Sequence, residues 1–334
     1  MPWFDAHLDL AYLAEIGRDM HAHPADCRGR LQPAAVTLPS LREGAVTACL
    51  GTIFTEAIGP DAPDEGPYAY RASDAEAARR AGLRQLKLYH AWRDAGAIEL
   101  LARRSARQPA ARAPLRVGIL MECADPIISP DDLDEWVSAG VICIGMTWAS
   151  GSRYAGGNAT GGGLTDLGRA LAQRMDELGV VHDVSHLSQR ALDDLLELTG
   201  ATVVASHSNC RALLDGVNER HLSDGAIREI ARRGGVIGLN LCSAFLATGL
   251  WDRGRATIDD CVRHIERICE LAGDRRHIGL GSDMDGGFAA DRLPVGVDRP
   301  RDLERLADAL GACGWSESDL QELRWGAWAQ FWGL

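Results

Sequence analysis

A single-domain (β/α)8 barrel of the TIM type is the fold this sequence predicts. Eight short apolar runs alternate with amphipathic stretches along 334 residues, the rhythm of parallel strands joined by helical crossovers. No G-x-G-x-x-G follows any run, which argues against a doubly wound dinucleotide-binding sheet. Five of the eight runs end in His, Asp or Glu. A barrel gathers such residues at the C-terminal rim of its strands, where its active site lies.

The elements follow in order. Trp3–His7 is the first strand and ends in His7-Leu8-Asp9. With a side-chain period of two, His7 and Asp9 face one way and form a two-ligand clip for a divalent cation. A polar loop with His21 and His23 follows and is a candidate cover for the site. Val46–Phe54 is the second strand. A mostly helical excursion at about 55–114, with an amphipathic pattern at Ser73–Arg103 and an Arg/Ala-rich stretch from Ala102 to Ala113, separates it from the third, Leu115–Met121. Glu122 ends that strand. The Ser129–Ala139 helix opens on Ser129-Pro130-Asp131-Asp132, an N-terminal signal. Val141–Thr147 is the fourth strand, with Trp148 next to it, and a helix at Leu164–Leu178 follows. The fifth strand, Val180–Val184, runs into Ser185-His186. The Ser188–Leu198 helix precedes the sixth strand, Thr202–Ser206, which ends at His207. Helices at Ser223–Arg233 and Thr257–Ala272 flank the seventh strand, Gly235–Asn240. The eighth, His277–Gly281, leads into Ser282-Asp283-Met284-Asp285-Gly286. Helical patterns at Pro300–Gly311 and from Ser316 close the chain.

Composition narrows the function. With 46% hydrophobic and 25% charged residues, a disordered chain, a collagen and a simple rod are excluded. The net charge of −12 opposes a non-specific grip on nucleic acid or an anionic membrane. No stretch approaches the ~20 apolar residues of a membrane span. The N-terminus lacks the basic and apolar regions of a signal peptide, so a cytoplasmic location is expected, with a homodimer as an admissible assembly. The nine cysteines are odd in number and form no C-x-x-C pair. Cys49, Cys143 and Cys242 fall in apolar strand-like runs, and the set reads as core thiols of a reducing compartment. Lys87 is the single lysine and reads as mid-helix.

Buried charges at one rim call for partners or a metal. The donors are nitrogen and oxygen, which suits Zn²⁺ first and also admits Mn²⁺, Fe²⁺ or Co²⁺. Three His, one Asp and one Glu exceed what one catalytic zinc with an open position needs. They match two metals ~3.5–4 Å apart sharing a carboxylate. Some binuclear barrels share a carboxylated lysine instead. Lys87 is in the wrong place for that, which leaves Glu122 as the candidate bridge. His182 reads as packed core, His264 and His277 as structural, His90 as helix surface, and Cys123 and Cys210 as structural.

These residues resemble the renal (membrane) dipeptidases, zinc peptidases on an amidohydrolase-type barrel. The resemblance runs from about Phe4 to about Leu323. Its anchors are Asp5-Ala6-His7-Leu8-Asp9, Glu122, Asp183-Val184-Ser185-His186, Ser206-His207-Ser208-Asn209, Arg220-His221-Leu222-Ser223-Asp224 and Gly281-Ser282-Asp283-Met284-Asp285-Gly286. It implies that His7, Asp9 and Glu122 hold one zinc and that Glu122, His186 and His207 hold the other. It implies that Arg220 binds the substrate carboxylate, a task suited to its planar fork. Asp283 is implied beside the catalytic water as proton acceptor. The implied reaction is hydrolysis of the amide of a dipeptide or similar small N-acyl amino acid. Hydrolysis of another small amide or a lactone, and a dipeptidase-like binding protein without turnover, are the alternatives. The intact ligand set argues against the last.

The chain departs from the family at three places, all expected to touch the substrate side. Trp148 stands where the family carries a histidine in a Thr-His context. Cys123-Ala124-Asp125 replaces the usual Gly-Gly-His, and the C-terminus reads Trp-Gly-Ala-Trp-Ala-Gln-Phe-Trp. An indole donates one hydrogen bond but cannot become a cation. Trp148 is therefore expected to change substrate preference, with Arg153 and Asn158 as candidates for the missing donor.

Overall fold

Alternating side chains build the wall of the barrel in the computed structural model, which describes residues 1–59, 61–62, 66–72, 74–101, 114–251 and 254–334. The eight strands are β1 (Trp3–Leu8), β2 (Val46–Ile53), β3 (Leu115–Met121) and β4 (Val141–Gly145), then β5 (Val181–Asp183), β6 (Val203–Val204), β7 (Ile237–Leu239) and β8 (Ile278–Leu280). All pair in parallel, in the order β7-β8-β1-β2-β3-β4-β5-β6. The ring closes between β6 and β7 through a parallel bridge from Ala205 to Ile237. This is the (β/α)8 barrel that the alternation predicts.

The period-two pattern sorts the core into two layers. Ala48, Leu50, Leu120 and Val204 pack inward with Phe4, Ala6, Cys143 and Val181. Cys49, Ile119, Met121 and Val203 face outward against helix residues such as Leu13, Tyr89, Trp136 and Leu195. The helices begin where side-chain caps begin. Thr165, Ser188, Ser223 and Thr257 each accept a backbone N–H of the first turn, which satisfies a donor that the helix itself leaves open.

Two expectations need correction. His7 and Asp9 do not share a strand face. The β1–β2 register shifts between Asp5 and Leu8, and such irregularities re-aim side chains beside active sites. Asp9 lies past the strand as the N-cap of the Leu10–Glu15 helix. The C-terminal aromatic run does not touch the substrate side either. The Ala327–Trp332 helix joins the inner cluster through Ala327, Trp328 and Trp332. The Trp328 indole donates to the Leu280 carbonyl at 3.0 Å and lies 6.0 Å from the Phe4 ring, so it plugs the end of the barrel opposite the rim.

Between β2 and β3, strands Glu56–Ile58 and Ala69–Arg71 pair in parallel. The helix Ala75–Asp94 follows, and Ile98–Leu100 pairs with the start of β3. The helix ends earlier than the pattern to Arg103 predicts because Gly96 turns the chain at φ +71°. Ser73 and the Ala102–Ala113 stretch lie outside the described residues. Lys87 is exposed on this helix. The described cysteines form no disulfide, and all but Cys313 are buried.

Gly281 marks the tightest point of the wall, since a Cβ there would lie 1.7 Å from the Ser206 carbonyl oxygen. Gly281→Ala must push β6 and β8 apart. We expect it to destabilise the fold by about 3 kcal/mol, the upper part of the range for overpacking, measured by urea denaturation. A loss below about 0.5 kcal/mol would show that the wall yields freely there.

Candidate active site

The rim brings all five expected ligand residues together. Glu122 Oε1 lies 3.6 Å from His7 Nε2, 3.3 Å from His186 Nε2 and 3.5 Å from His207 Nε2. Asp9 Oδ1 is 3.8 Å from His7 Nε2. His7, Glu122 and His207 present donor atoms close enough to share one ion, and so do His7, Asp9 and Asp283. All six side chains are buried. They come from β1, β3, β5, β6 and β8, so no two neighbouring residues in the chain make the site.

The surrounding hydrogen bonds fix which nitrogen of each ring is bare. Ser206 Oγ donates to Asp183 Oδ2 at 2.5 Å, which leaves the hydroxyl only its lone pairs. It accepts from His207 Nδ1 at 2.7 Å and from His7 Nδ1 at 3.0 Å. Asn158 Oδ1 accepts from His186 Nδ1 at 3.0 Å. Each ring therefore carries its proton on Nδ1 and aims an Nε2 lone pair at Glu122. His186 Nε2 and His207 Nε2 are 3.0 Å apart, too close for two bare lone pairs unless a cation draws on both. His7 Nε2 is buried without a hydrogen-bond partner. This donor set fits a divalent metal, and its outer partners are the kind that orient metal-binding imidazoles.

Electrostatics agree. Burial, then the nearby Arg220 guanidinium, hold the His186 imidazole well below its ordinary range. Burial, with positive charge from Arg220 adding to it, does the same for His207. Both rings stay neutral, as ligation requires. Burial pushes the Glu122 and Asp283 carboxyls up to about 8, and Asp9 up to about 6 with Glu122 adding to it. Such a cluster of carboxyls takes on its charge readily only with a cation in place.

The backbone is strained at this rim. His186, Asp283 and Asp285 adopt φ of +66°, +58° and +64°, a region that costs non-glycine residues about 1–3 kcal/mol each. Surrounding bonds hold them there. Asn240 Nδ2 donates to Asp283 Oδ2 at 2.9 Å. Asp285 is buried in an ion pair with Arg18 and accepts from the Ala35 and Val36 N–H groups at 2.9 and 2.8 Å. Sequence reasoning missed Ser206, Asp183, Asn240 and the Arg18–Asp285 pair. The Ser-His and Asp-Met-Asp-Gly motifs contained three of them without saying what they touch.

A cavity of about 530 Å³ opens above the cluster, with Glu122, Asp283, Arg220 and Trp148 in its lining. Arg220 is buried. It donates to the His207 carbonyl at 2.9 Å and to Ser208 Oγ at 3.2 Å, and its Nε has no partner. Trp148 is half-buried, 5.8 Å from the His186 ring. Neither proposed substitute donor stands free beside it. Arg153 is committed to Asp125 and to the Ile127 and Ile128 carbonyls, and Asn158 holds His186. Asp125 is not on the substrate side: it is buried and accepts from Tyr70 at 2.5 Å. Cys242, expected in a strand, lies past β7 and lines the cavity. His23 caps its own turn and pairs with Glu43, and His21 is exposed. Arg30, from the same loop, reaches the cavity instead. His182 pairs with Asp176 at 2.8 Å, away from the site. A second cavity, of about 560 Å³, lies among Asp176, Arg233 and His277 and holds none of the ligand residues.

A barrel with a buried His/Asp/Glu cluster at its C-terminal rim defines a metal-dependent hydrolase. The family model for membrane dipeptidase (peptidase family M19) matches residues 1–333, and the chain belongs to this family. It superposes on the structure of dipeptidase AC, a metallopeptidase of family M19, with a TM-score of 0.84 and 26% identity, covering 100% of this chain and 99% of that one. It matches a Rhodobacter sphaeroides metallopeptidase, liganded with a phosphinate mimic of L-Ala-D-Ala, with a TM-score of 0.83 and 25% identity over 99% and 98%. Over 184 residues it is 34% identical to an uncharacterized dipeptidase of Schizosaccharomyces pombe, a stretch of 53% of this chain and 42% of that protein. The chain is a metal-dependent, dipeptidase-like hydrolase. No helix among the described residues is long and apolar enough to cross a membrane.

Ser206→Ala removes the common acceptor of two ligand rings. Affinity for Zn²⁺, measured by chelator competition, is expected to fall ~10–100-fold, the usual effect of losing an outer-sphere partner, with the fold retained by circular dichroism. Unchanged affinity would mean that the rings need no such anchor.

Proposed function

We propose that this protein is a binuclear zinc hydrolase that cleaves the amide bond of dipeptides or similar small N-acyl amino acids. The observation that carries the reading is one carboxylate oxygen, Glu122 Oε1, within 3.3–3.6 Å of three histidine nitrogens. His7, Asp9 and Glu122 would hold one ion, and Glu122, His186 and His207 the other. Bound metals supply Lewis acidity at the scissile carbonyl and lower the pKa of an attacking water toward neutrality. The mimic of a dipeptide bound by the Rhodobacter sphaeroides neighbour supports a dipeptide substrate.

The chain's own groups do the rest. Asp283 faces the cluster from β8, held by Asn240. It takes the proton of the attacking water and passes it to the leaving amine. Arg220 lines the cavity with its guanidinium held by Ser208 and the His207 carbonyl, and it would pair with the substrate carboxylate. Anchoring at that distance from the scissile bond converts binding into orientation.

Glu122→Gln should strip most of the metal and nearly all dipeptide hydrolysis, read by elemental analysis beside a rate assay. Two tightly held ions in that variant would remove Glu122 from the bridging position. Asp283→Asn should instead leave metal content near wild type while kcat falls ~10²–10⁴-fold, the usual loss for a general acid–base group. Parallel loss of zinc and rate would make Asp283 a ligand.

A further inference from the structure

The cavity is far more aromatic than recognition of a peptide backbone requires. Its rings fall on two arcs of the rim. Tyr12 follows β1, Phe54 and Tyr68 follow β2, and Trp148 follows β4; all four line the cavity. They support one another edge to face. Trp148 meets Phe54 at 5.4 Å and 77°, and Phe54 meets Tyr12 at 5.4 Å and 85°. Tyr12 meets Tyr68 at 4.9 Å and 78°. Phe54 and Tyr68 are buried, whereas Trp148 is half-exposed to the cavity. The charged groups of this arc, Arg30 and Glu56, already have partners. On the other arc, after β7, Phe245 and Trp251 lie 5.8 Å apart, and the Arg220 guanidinium sits 5.1 Å from the Phe245 ring.

If Arg220 grips the carboxylate, the C-terminal half of the substrate lies on its arc. The scissile bond lies over Glu122 and Asp283, so the acyl half extends toward Trp148. We infer that Trp148, Phe54 and Tyr68 form an apolar subsite that selects substrates with an aromatic or large aliphatic side chain on the acyl half. The inference rests on the role proposed above for Arg220. A preformed wall of interlocked rings loses little entropy when it closes on a flat side chain, and aromatic pairs prefer this edge-to-face contact. A polar side chain there would give up its water to a wall made chiefly of ring carbons. Trp148 carries the selection, since the charge-capable histidine expected at its position could not present the same apolar face.

The test uses the metal-loaded full chain and the dipeptides Phe-Ala, Leu-Ala, Ala-Ala and Asp-Ala, each with L or D alanine at the C-terminal position. Phe-Ala and Leu-Ala should exceed Ala-Ala in kcat/KM by ~10–100-fold, the range for burying a large apolar side chain, and Asp-Ala should be the poorest. Phe54→Ala, which leaves the neighbour of His186 in place, and Trp148→Ala should each bring the Phe/Ala ratio toward one. Trp148→Phe should keep most of it. Calorimetric binding of phosphinate analogues of Phe-Ala and Ala-Ala gives a second readout that needs no turnover. There the aromatic analogue should bind ~10-fold tighter or better. Equal kcat/KM for Phe-Ala and Ala-Ala, or equal binding of the two analogues, overturns the subsite. No hydrolysis of any dipeptide, with the aromatic analogue still preferred, overturns the proposed function and leaves the subsite standing. No hydrolysis and no analogue binding overturn both.

Discussion

Everything at the rim depends on one hydroxyl. Ser206 Oγ has one proton and two lone pairs, and all three are committed: the proton to Asp183, the lone pairs to His207 and His7. The Asp183 carboxylate also accepts the N–H groups of Ser185 and Ser206, so it ties the end of β5 to the end of β6. Through this knot, strand pairing sets the tautomers of two imidazoles. If the hydroxyl turned, a proton could move to Nε2, and the cluster would lose a lone pair where it needs one. The geometry of the site is thus continuous with the closure of the barrel. The carbonyl of the same Ser206 is what a Cβ at Gly281 would strike.

The barrel and the gathering of the five candidate ligand residues were legible in the sequence for a simple reason. Strand ends are local features, and a His or Asp beside an apolar run shows in the chain itself. Glu122 follows β3 directly, His186 and His207 come three residues beyond the ends of β5 and β6, and Asp283 lies just past β8. The register of β1 was not legible. A period-two pattern carries His7 and Asp9 to one face, but register shifts arise from how β1 pairs with its neighbours, and a single strand does not record its partner. Asp9 reaches the cluster from just past the strand, at the residue that precedes the Leu10–Glu15 helix. The hydrogen-bonded partners were hidden for a similar reason. Ser206, Asp183 and Asn240 act on residues up to 199 positions away, and an isolated Ser or Asn has many uses in a sequence.

The departures from the family pattern separate by location once packed. The Trp-rich C-terminus is a plug, because the inner cluster needs bulk at the end opposite the rim, and the Trp328 indole N–H finds a carbonyl there. Asp125 is a tie between Tyr70 and the loop that carries Arg153. Only Trp148 remains at the cavity. Its contact with His186 places an apolar ring against an imidazole that burial and the nearby Arg220 already keep neutral. A second protonatable group at this position would add positive charge beside Arg220 and any bound cation. An indole adds none, so the site keeps its charge balance and exchanges a polar donor for apolar surface.

Strain and support are divided between the two ends of the barrel. Positive φ at His186, Asp283 and Asp285 stores several kcal/mol at the rim, and the buried carboxyls add the cost of desolvation. Bonds from Asn240, Arg18 and backbone N–H groups offset part of that cost, and a bound cation would offset more of it. At the opposite end Phe4, Trp328 and Trp332 pack closely together, and a Cβ at Gly279 would lie 2.4 Å from the Trp328 indole nitrogen. A barrel wall transmits support along its strands, since each strand runs from the packed end to the strained one. β1 joins Phe4 in the plug to His7 at the metal site, and β8 joins Gly279 beneath Trp328 to the loop bearing Asp283. A rim that waits on a cation keeps its shape because the same strands are pinned where no ligand is needed.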